Sequence, residues 1–286
     1  MLKQRVITAI VLLAVLLPAM FYATPMPFCA VALVLIAAAA WEWGRLNACG
    51  ATVSLFLGCV MALLCGLTWY AGLLDRPLSL LWLLAGGTWV LVCVAMLRAG
   101  VAGWPRIPRT LRLLGGMAAL WLAWLAVAQA RVIGIEFLLS VLLLVWVADI
   151  AAYAAGRTFG GQFTTRRLAP SISPGKSWEG VWGGAVGVVV LSFGWVFLGQ
   201  SGGEVFSGGL YTRLSVQHGL LVMLIGVLFL VAMSVAGDLV ESLVKRSAGV
   251  KDSSGLLPGH GGVLDRVDAL LPVVPLAMML INLNYL

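Results

Sequence analysis

Only eleven of the 286 residues are acidic, yet Asp238, Glu241, Asp252, Asp265 and Asp268 all fall near the C-terminal end. Asp238 closes a long apolar run that begins at Leu220, and an ionisable residue at such a boundary costs enough to mark a functional site. If the helix continues, Asp238, Glu241, Ser242 and Lys245 stand at i, i+3, i+4 and i+7, so one face offers oxygen ligands together with a cation. Asp265 and Asp268 follow at i, i+3 where the next apolar stretch begins. Carboxylates paired at a polar boundary suit a hard cation such as Mg²⁺, which takes oxygen ligands and keeps water and phosphate in its shell. Lys245, Arg246, Lys251 and Arg266 supply positive charge for phosphate oxygens. Gly249, Gly255, Gly259, Gly261 and Gly262 with Pro258 predict a loop over 247–262. A charged loop ordinarily pairs with itself in solvent, and His260 alone would be expected only to make a loop hydrogen bond. The coincidence of clustered acids, clustered bases, glycines and that histidine favours a site.

The elements that must position these residues are set by composition. Hydrophobic residues make up 62% of the chain and charged residues 10%, against roughly a quarter charged in ordinary soluble domains. The expected fold is therefore an all-α, polytopic integral membrane protein. Apolar runs of span length predict about nine helices, near residues 6–23, 27–44, 53–74, 78–97, 111–129, 132–155, 178–199, 218–241 and 267–284. The first run is too long for a secretory leader and is read as an uncleaved first span. With the N-terminus cytoplasmic, all the Lys and Arg residues except Arg76, Arg131 and Arg213 fall in cytoplasmic segments, as retention of basic loops requires. That orientation places the polar residues at the cytoplasmic face and the C-terminus outside. The five cysteines lie in the first third without zinc-site spacing and are read as packing residues. The net charge of +7 fits basic loops facing anionic lipid. With no nucleic-acid-binding module or basic aromatic face, nucleic acid is not expected as a partner.

Several segments together carry a family resemblance. Ser242-Leu-Val-Lys245-Arg246, Lys251-Asp252 and Leu257-Pro258-Gly259-His260-Gly261-Gly262-Val263-Leu264-Asp265-Arg266-Val267-Asp268 resemble the full signature of the phosphatidate cytidylyltransferases, or CDP-diacylglycerol synthases. A pattern with about a dozen fixed residues is far more specific than a lone glycine motif. Upstream, Asp149 with Ala152-Tyr153 and Gly156-Arg157 resembles the family's Asp-x-x-Ala-Tyr segment. Ser173-Pro174-Gly175-Lys176-Ser177-Trp178-Glu179-Gly180 resembles its Ser-Pro-x-Lys-Thr-x-Glu-Gly segment, with Ser177 at the threonine position. Gly175-Lys176-Ser177 does not complete a phosphate loop, because Pro170 stands where that motif needs glycine and no strand precedes it. Gly180, Gly184 and Gly187 are read as sites of close helix packing.

The resemblance implies transfer of the cytidylyl group of CTP to phosphatidic acid, giving CDP-diacylglycerol and pyrophosphate in phospholipid biosynthesis at the bacterial inner membrane. It implies Asp238, Asp265 and Asp268 as ligands of Mg²⁺, a monovalent cation such as K⁺ beside it, and Ser242 as a further oxygen donor. Lys245, Arg246, Lys251, Asp252, His260 and Arg266 form the expected catalytic set. Arg157, Lys176, Ser177, Asp149 and Tyr153 are expected to bind substrate, with Asp149 open between cation and cytosine. Residues 1–130 are expected to form a scaffold with lipid and dimer contacts and residues 131–286 the catalytic region, in a homodimer. Two rivals stand beside this reading. A CTP-dependent enzyme for another lipid phosphate would share the same pattern, whereas a transporter would need polar residues along a midplane route.

Overall fold

The computed structural model describes residues 2–283. Its helices are α1 (Leu2–Phe21), α2 (Met26–Leu46), α3 (Ala51–Tyr70), α4 (Ser79–Ala99), α5 (Arg109–Ile133), α6 (Ile135–Phe159), α7 (Trp178–Gln200), α8 (Glu204–Ser207), α9 (Leu210–Ser247), α10 (Leu264–Val267) and α11 (Leu270–Ile281). Two short 3₁₀ turns, Leu73–Asp75 and Val101–Arg106, flank α4. Eight of these helices, α1 to α7 and α9, are long and apolar enough to cross a bilayer. Their outward faces are what a soluble protein would hide: Ile10 is 59%, Phe56 64% and Leu91 72% exposed. Such a surface needs hydrocarbon around it, and the fold is all-α and polytopic.

The ninth expected span departs from this pattern. Over residues 267–284 the described part holds the 12-residue helix α11, and Asp268 and Ala269, both in helical φ/ψ, connect it to α10; the end of the expected span, Asn284, lies outside the described residues. Pro272 cannot donate to the Asp268 carbonyl, so the helical ladder is interrupted between α10 and α11. The apolar residues of α11 also serve internal burial, because Leu271 through Met278 are all buried against α9, α5, α4 and α6. The eighth span also differs. The helix runs from Leu210 to Ser247 and bends at Gly219, whose φ of 85° and ψ of 165° are non-helical, so Ser242 and Lys245 remain on the same helix as Asp238.

Close packing of α6 on α7 forms the floor of the polar region. A Cβ on Gly184 would stand 2.9 Å from the Ala148 carbonyl, one on Gly180 3.0 Å from that of Ala152, and one on Gly187 2.7 Å from the Ala151 side chain. Those glycines let the two backbones approach, as small residues do in membrane helix pairs. The start of α1, the ends of α2, α6 and α9, and the start of α7 meet at one end of the bundle, where the two polar loops 160–177 and 248–263 lie.

Candidate active site

Three elements wall a cavity of about 420 Å³ at this end. Helix α6 contributes Asp149, Tyr153 and Arg157, the segment entering α7 contributes Lys176 and Ser177, and α9 contributes Asp238. The spacing Asp149, Tyr153, Arg157 is two steps of four, so one face of α6 carries all three, and Arg157 Nη1 donates to Tyr153 Oη at 3.1 Å. Ser177 caps α7, accepting from the Gly180 N–H at 3.2 Å, so the partly positive start of that helix lies on the cavity wall beside Lys176. Glu179 turns away from the cavity and accepts from the N–H groups of Phe163 (3.2 Å) and Thr164 (2.8 Å) and from the Thr164 hydroxyl (2.8 Å). It thereby fastens the loop after α6 onto the start of α7. The Arg167 guanidinium donates to the Pro174 carbonyl and closes the same loop on itself.

The two halves of the site are joined by charge. Lys176 Nζ lies 2.5 Å from Asp238 Oδ2, and Arg246 Nε donates to the Ile172 carbonyl at 3.3 Å, tying the end of α9 to the tip of the 160–177 loop. On α9, the Ser242 hydroxyl donates to Asp238 Oδ1 at 3.3 Å. One turn further, Lys245 Nζ is held between Glu241 Oε2 and Asp265 Oδ1, at 2.6 Å from each. Asp265 is a bracket for its loop: its carboxylate also accepts from the N–H groups of Ser253 (2.9 Å) and Gly262 (2.7 Å) and from the Ser253 hydroxyl (2.9 Å). Burial pushes the Asp265 carboxyl up, but Lys245 and those N–H groups outweigh it and hold its pKa below the usual carboxylate range. Asp268 goes the other way, pushed up to about 7 by burial and then by the negative charge of Asp238.

The sequence-predicted residues therefore separate into layers. Asp149, Tyr153, Arg157, Lys176, Ser177 and Asp238 line the cavity. Asp268 stands in electrostatic contact with Asp238 and Asp149, and Asp149 in turn senses Lys176 and Arg266. Ser242, Lys245 and Asp265 form the next layer. Lys251, Asp252 and Arg266 are exposed and do not line the cavity. His260 hydrogen-bonds through its backbone N–H to Leu257 (2.8 Å), and its buried Nδ1 has no partner. Among the described residues no three His, Cys, Asp or Glu side chains are gathered closely enough to hold a metal ion. The donor chemistry fits a hard cation nonetheless: Asp149, Asp238 and Asp268 are hard oxygen donors whose mutual repulsion a divalent ion would relieve. Asp265, the other expected ligand, already has both oxygens engaged in this arrangement.

One residue of the site escapes the sequence argument. Glu42, at the end of α2, is fully buried and accepts hydrogen bonds from the loop that carries Asp265. Its signal was available: it is the sole acid before Asp75 and sits inside an apolar span, where an ionisable group marks function by default.

Comparison with known proteins covers nearly the whole chain. The profile of the Cytidylyltransferase family matches residues 3–284. The chain is similar to the phosphatidate cytidylyltransferase of Haemophilus influenzae, 39% identical over 96% of both chains. It is similar to that of Pseudomonas aeruginosa, 37% identical over 96% of this chain and 95% of the relative, and, over about half of each chain, to that of Bacillus subtilis at 37%. A match of this extent, covering both polar loops and every helix that walls the cavity, makes the chain a member of the cytidylyltransferase family.

Proposed function

We propose that this protein transfers the cytidylyl group of CTP to phosphatidic acid, releasing pyrophosphate and forming CDP-diacylglycerol. The observation that carries the reading is the cavity itself: the cations Arg157 and Lys176 and the carboxylates Asp149 and Asp238 share one pocket at the ends of membrane helices. The relatives' names supply the substrate pair.

The reaction needs little acid–base help. A phosphate monoester loses its second proton near pH 6, so the lipid nucleophile is already anionic at neutral pH. The obstacle is repulsion between that anion and the triphosphate. Lys176, Arg157 and the start of α7 provide positive potential on the wall of the cavity, and Lys245 and Arg266 add to it from outside the lining. They hold the phosphate oxygens and bring the lipid oxygen in line with the α-phosphorus of CTP. The bond from that oxygen to the α-phosphorus forms as the bond to the β-phosphate oxygen breaks, and the cations neutralise the departing pyrophosphate.

Asp238 and Asp268, with Asp149 beside them, would hold Mg²⁺, and Ser242 is a further oxygen donor for it or for a monovalent companion such as K⁺. When bound, the ion supplies electrostatic stabilisation of the phosphoryl oxygens. Asp265 acts one layer out by fixing Lys245 and the loop. The acyl chains remain in the bilayer while the headgroup reaches the cytoplasmic end of the bundle, in the inner membrane of a bacterium and in a homodimer. Purified protein incubated with labelled CTP, phosphatidate and Mg²⁺ is expected to yield labelled CDP-diacylglycerol and pyrophosphate. No product across metals and lipid compositions would overturn the proposal, and product only with a different lipid phosphate would move it to the nearer rival.

A further inference from the structure

Glu42 lies some two hundred residues before the signature loop, yet it holds four groups of that loop. Its Oε1 accepts from the Ser254 hydroxyl at 2.5 Å and the Val263 N–H at 3.0 Å, and its Oε2 accepts from the Leu264 N–H at 2.7 Å and lies 3.1 Å from the Ser253 hydroxyl, whose one proton it shares with Asp265. A carboxylate has four lone-pair positions, so this side chain is fully committed to one partner, the backbone that delivers Asp265. The fit is close enough that a Cβ on Gly262 would stand 2.3 Å from Glu42 Oε1 and 2.0 Å from the Ser253 hydroxyl. Ser253 links the layers: its N–H donates to Asp265, and its hydroxyl lies within hydrogen-bond distance of both Glu42 and Asp265. Asp265 in turn holds Lys245.

We infer that Glu42 of α2 is a positioning residue for cytidylyl transfer, a clamp that fixes the Ser253–Leu264 backbone and, through Ser253 and Asp265, the place of Lys245. The inference rests on the reading of that loop as part of the cytidylyl-transfer site. The N-terminal helices then do more than shield the catalytic region from lipid. One of them supplies the charge around which the loop is built, and only an acceptor with two oxygens can do so. A glutamine keeps the size but turns one of the two acceptors into a donor, facing groups that themselves donate.

Glu42→Gln is expected to lower kcat by about 10- to 100-fold, the usual cost of losing an outer-layer partner, with little change in KM for CTP or phosphatidate. Trypsin should cut faster after Lys251, which is exposed in the clamped loop, while the thermal transition of the detergent-solubilised protein stays cooperative. Because the effect passes through Asp265, Glu42→Gln added to Asp265→Asn should cost no more than Asp265→Asn alone. If Glu42→Gln fails to fold, Ser254→Ala decides the matter, since it removes one loop-side donor and leaves α2 intact; slower turnover and faster cleavage after Lys251 are expected. Wild-type turnover and wild-type cleavage in whichever variant folds would overturn the inference. So would a loss of turnover that only follows the loss of folded protein while cleavage stays unchanged. If the wild-type protein makes no CDP-diacylglycerol but Glu42→Gln still frees the loop, the activity reading fails and the clamp stands.

Discussion

Asp265 and Asp268 are three residues apart and behave as opposites. Asp265 gains a cation and main-chain N–H groups, which favour its charged form, whereas Asp268 is half-buried, and desolvation and the nearby Asp238 charge push its pKa up to about 7. Asp265→Asn removes the charge that fixes Lys245, so turnover should fall by two or more orders of magnitude while insertion and cooperative unfolding persist; near-normal product formation from CTP would contradict the role given to it. Asp268 carries a pH signature. A carboxyl whose folded pKa lies above its unfolded value stabilises the fold at low pH and ceases to do so as pH rises through the folded value. In metal-chelated detergent solution this carboxyl should therefore cost the wild-type protein stability between about pH 4 and about pH 7, and Asp268→Asn should remove that contribution from thermal unfolding profiles. The signature residues were legible because their types and spacing are so specific, and Asp149 was legible through its neighbouring motif. Glu42 announces itself only as an acid in an apolar run, with no spacing that says what it holds. Its importance appears only when the loop from the other end of the chain folds onto it.

At the level of elements, the distance between α9 and α11 determines whether Asp238 and Asp268 can share a site. Gly237 makes that approach possible: a Cβ there would stand 2.6 Å from Pro272 Cγ and 2.9 Å from the Asp268 carbonyl. Gly237→Ala should push α11 away and weaken activity more than stability, with an overpacking cost of about 1–3 kcal/mol; full activity in that variant would show that the separation is not critical. The α6–α7 contact makes a different prediction. Gly184→Leu would drive a large side chain into the Ala148 carbonyl, only 2.9 Å from the position of its Cβ, so lowered thermal stability should accompany the loss of activity. The existence of the first eight spans was readable because the bilayer demands long apolar runs. The ninth is the hardest to read, because burial inside a helix bundle and burial in lipid favour the same residues.

For the molecule as a whole, function depends on which side of the membrane the polar end faces. Helices that run antiparallel through the bilayer bring the start of α1 together with the end of α2, shown by Thr8 donating to the Pro258 carbonyl at 2.8 Å and by the Glu42 clamp. The same end carries the loop before α7 and the loop after α9, so the basic segments of the chain are gathered on one face. Basic residues are held back during insertion, and CTP is a cytoplasmic metabolite that does not cross hydrocarbon. On both grounds we propose that this face lies in the cytoplasm. The other end is closed by buried groups that need no substrate access: Arg131 donates to the carbonyls of Met20 (2.9 Å) and Tyr22 (2.6 Å), and Gln129 to those of Leu73 (2.7 Å) and Arg76 (2.9 Å). Trypsin added to inverted membrane vesicles should therefore cleave after Lys251, and CTP added to them should be consumed. Sealed right-side-out vesicles should resist both until they are permeabilised. Cleavage and turnover in intact right-side-out vesicles would reverse the orientation while leaving the architecture of the site unchanged.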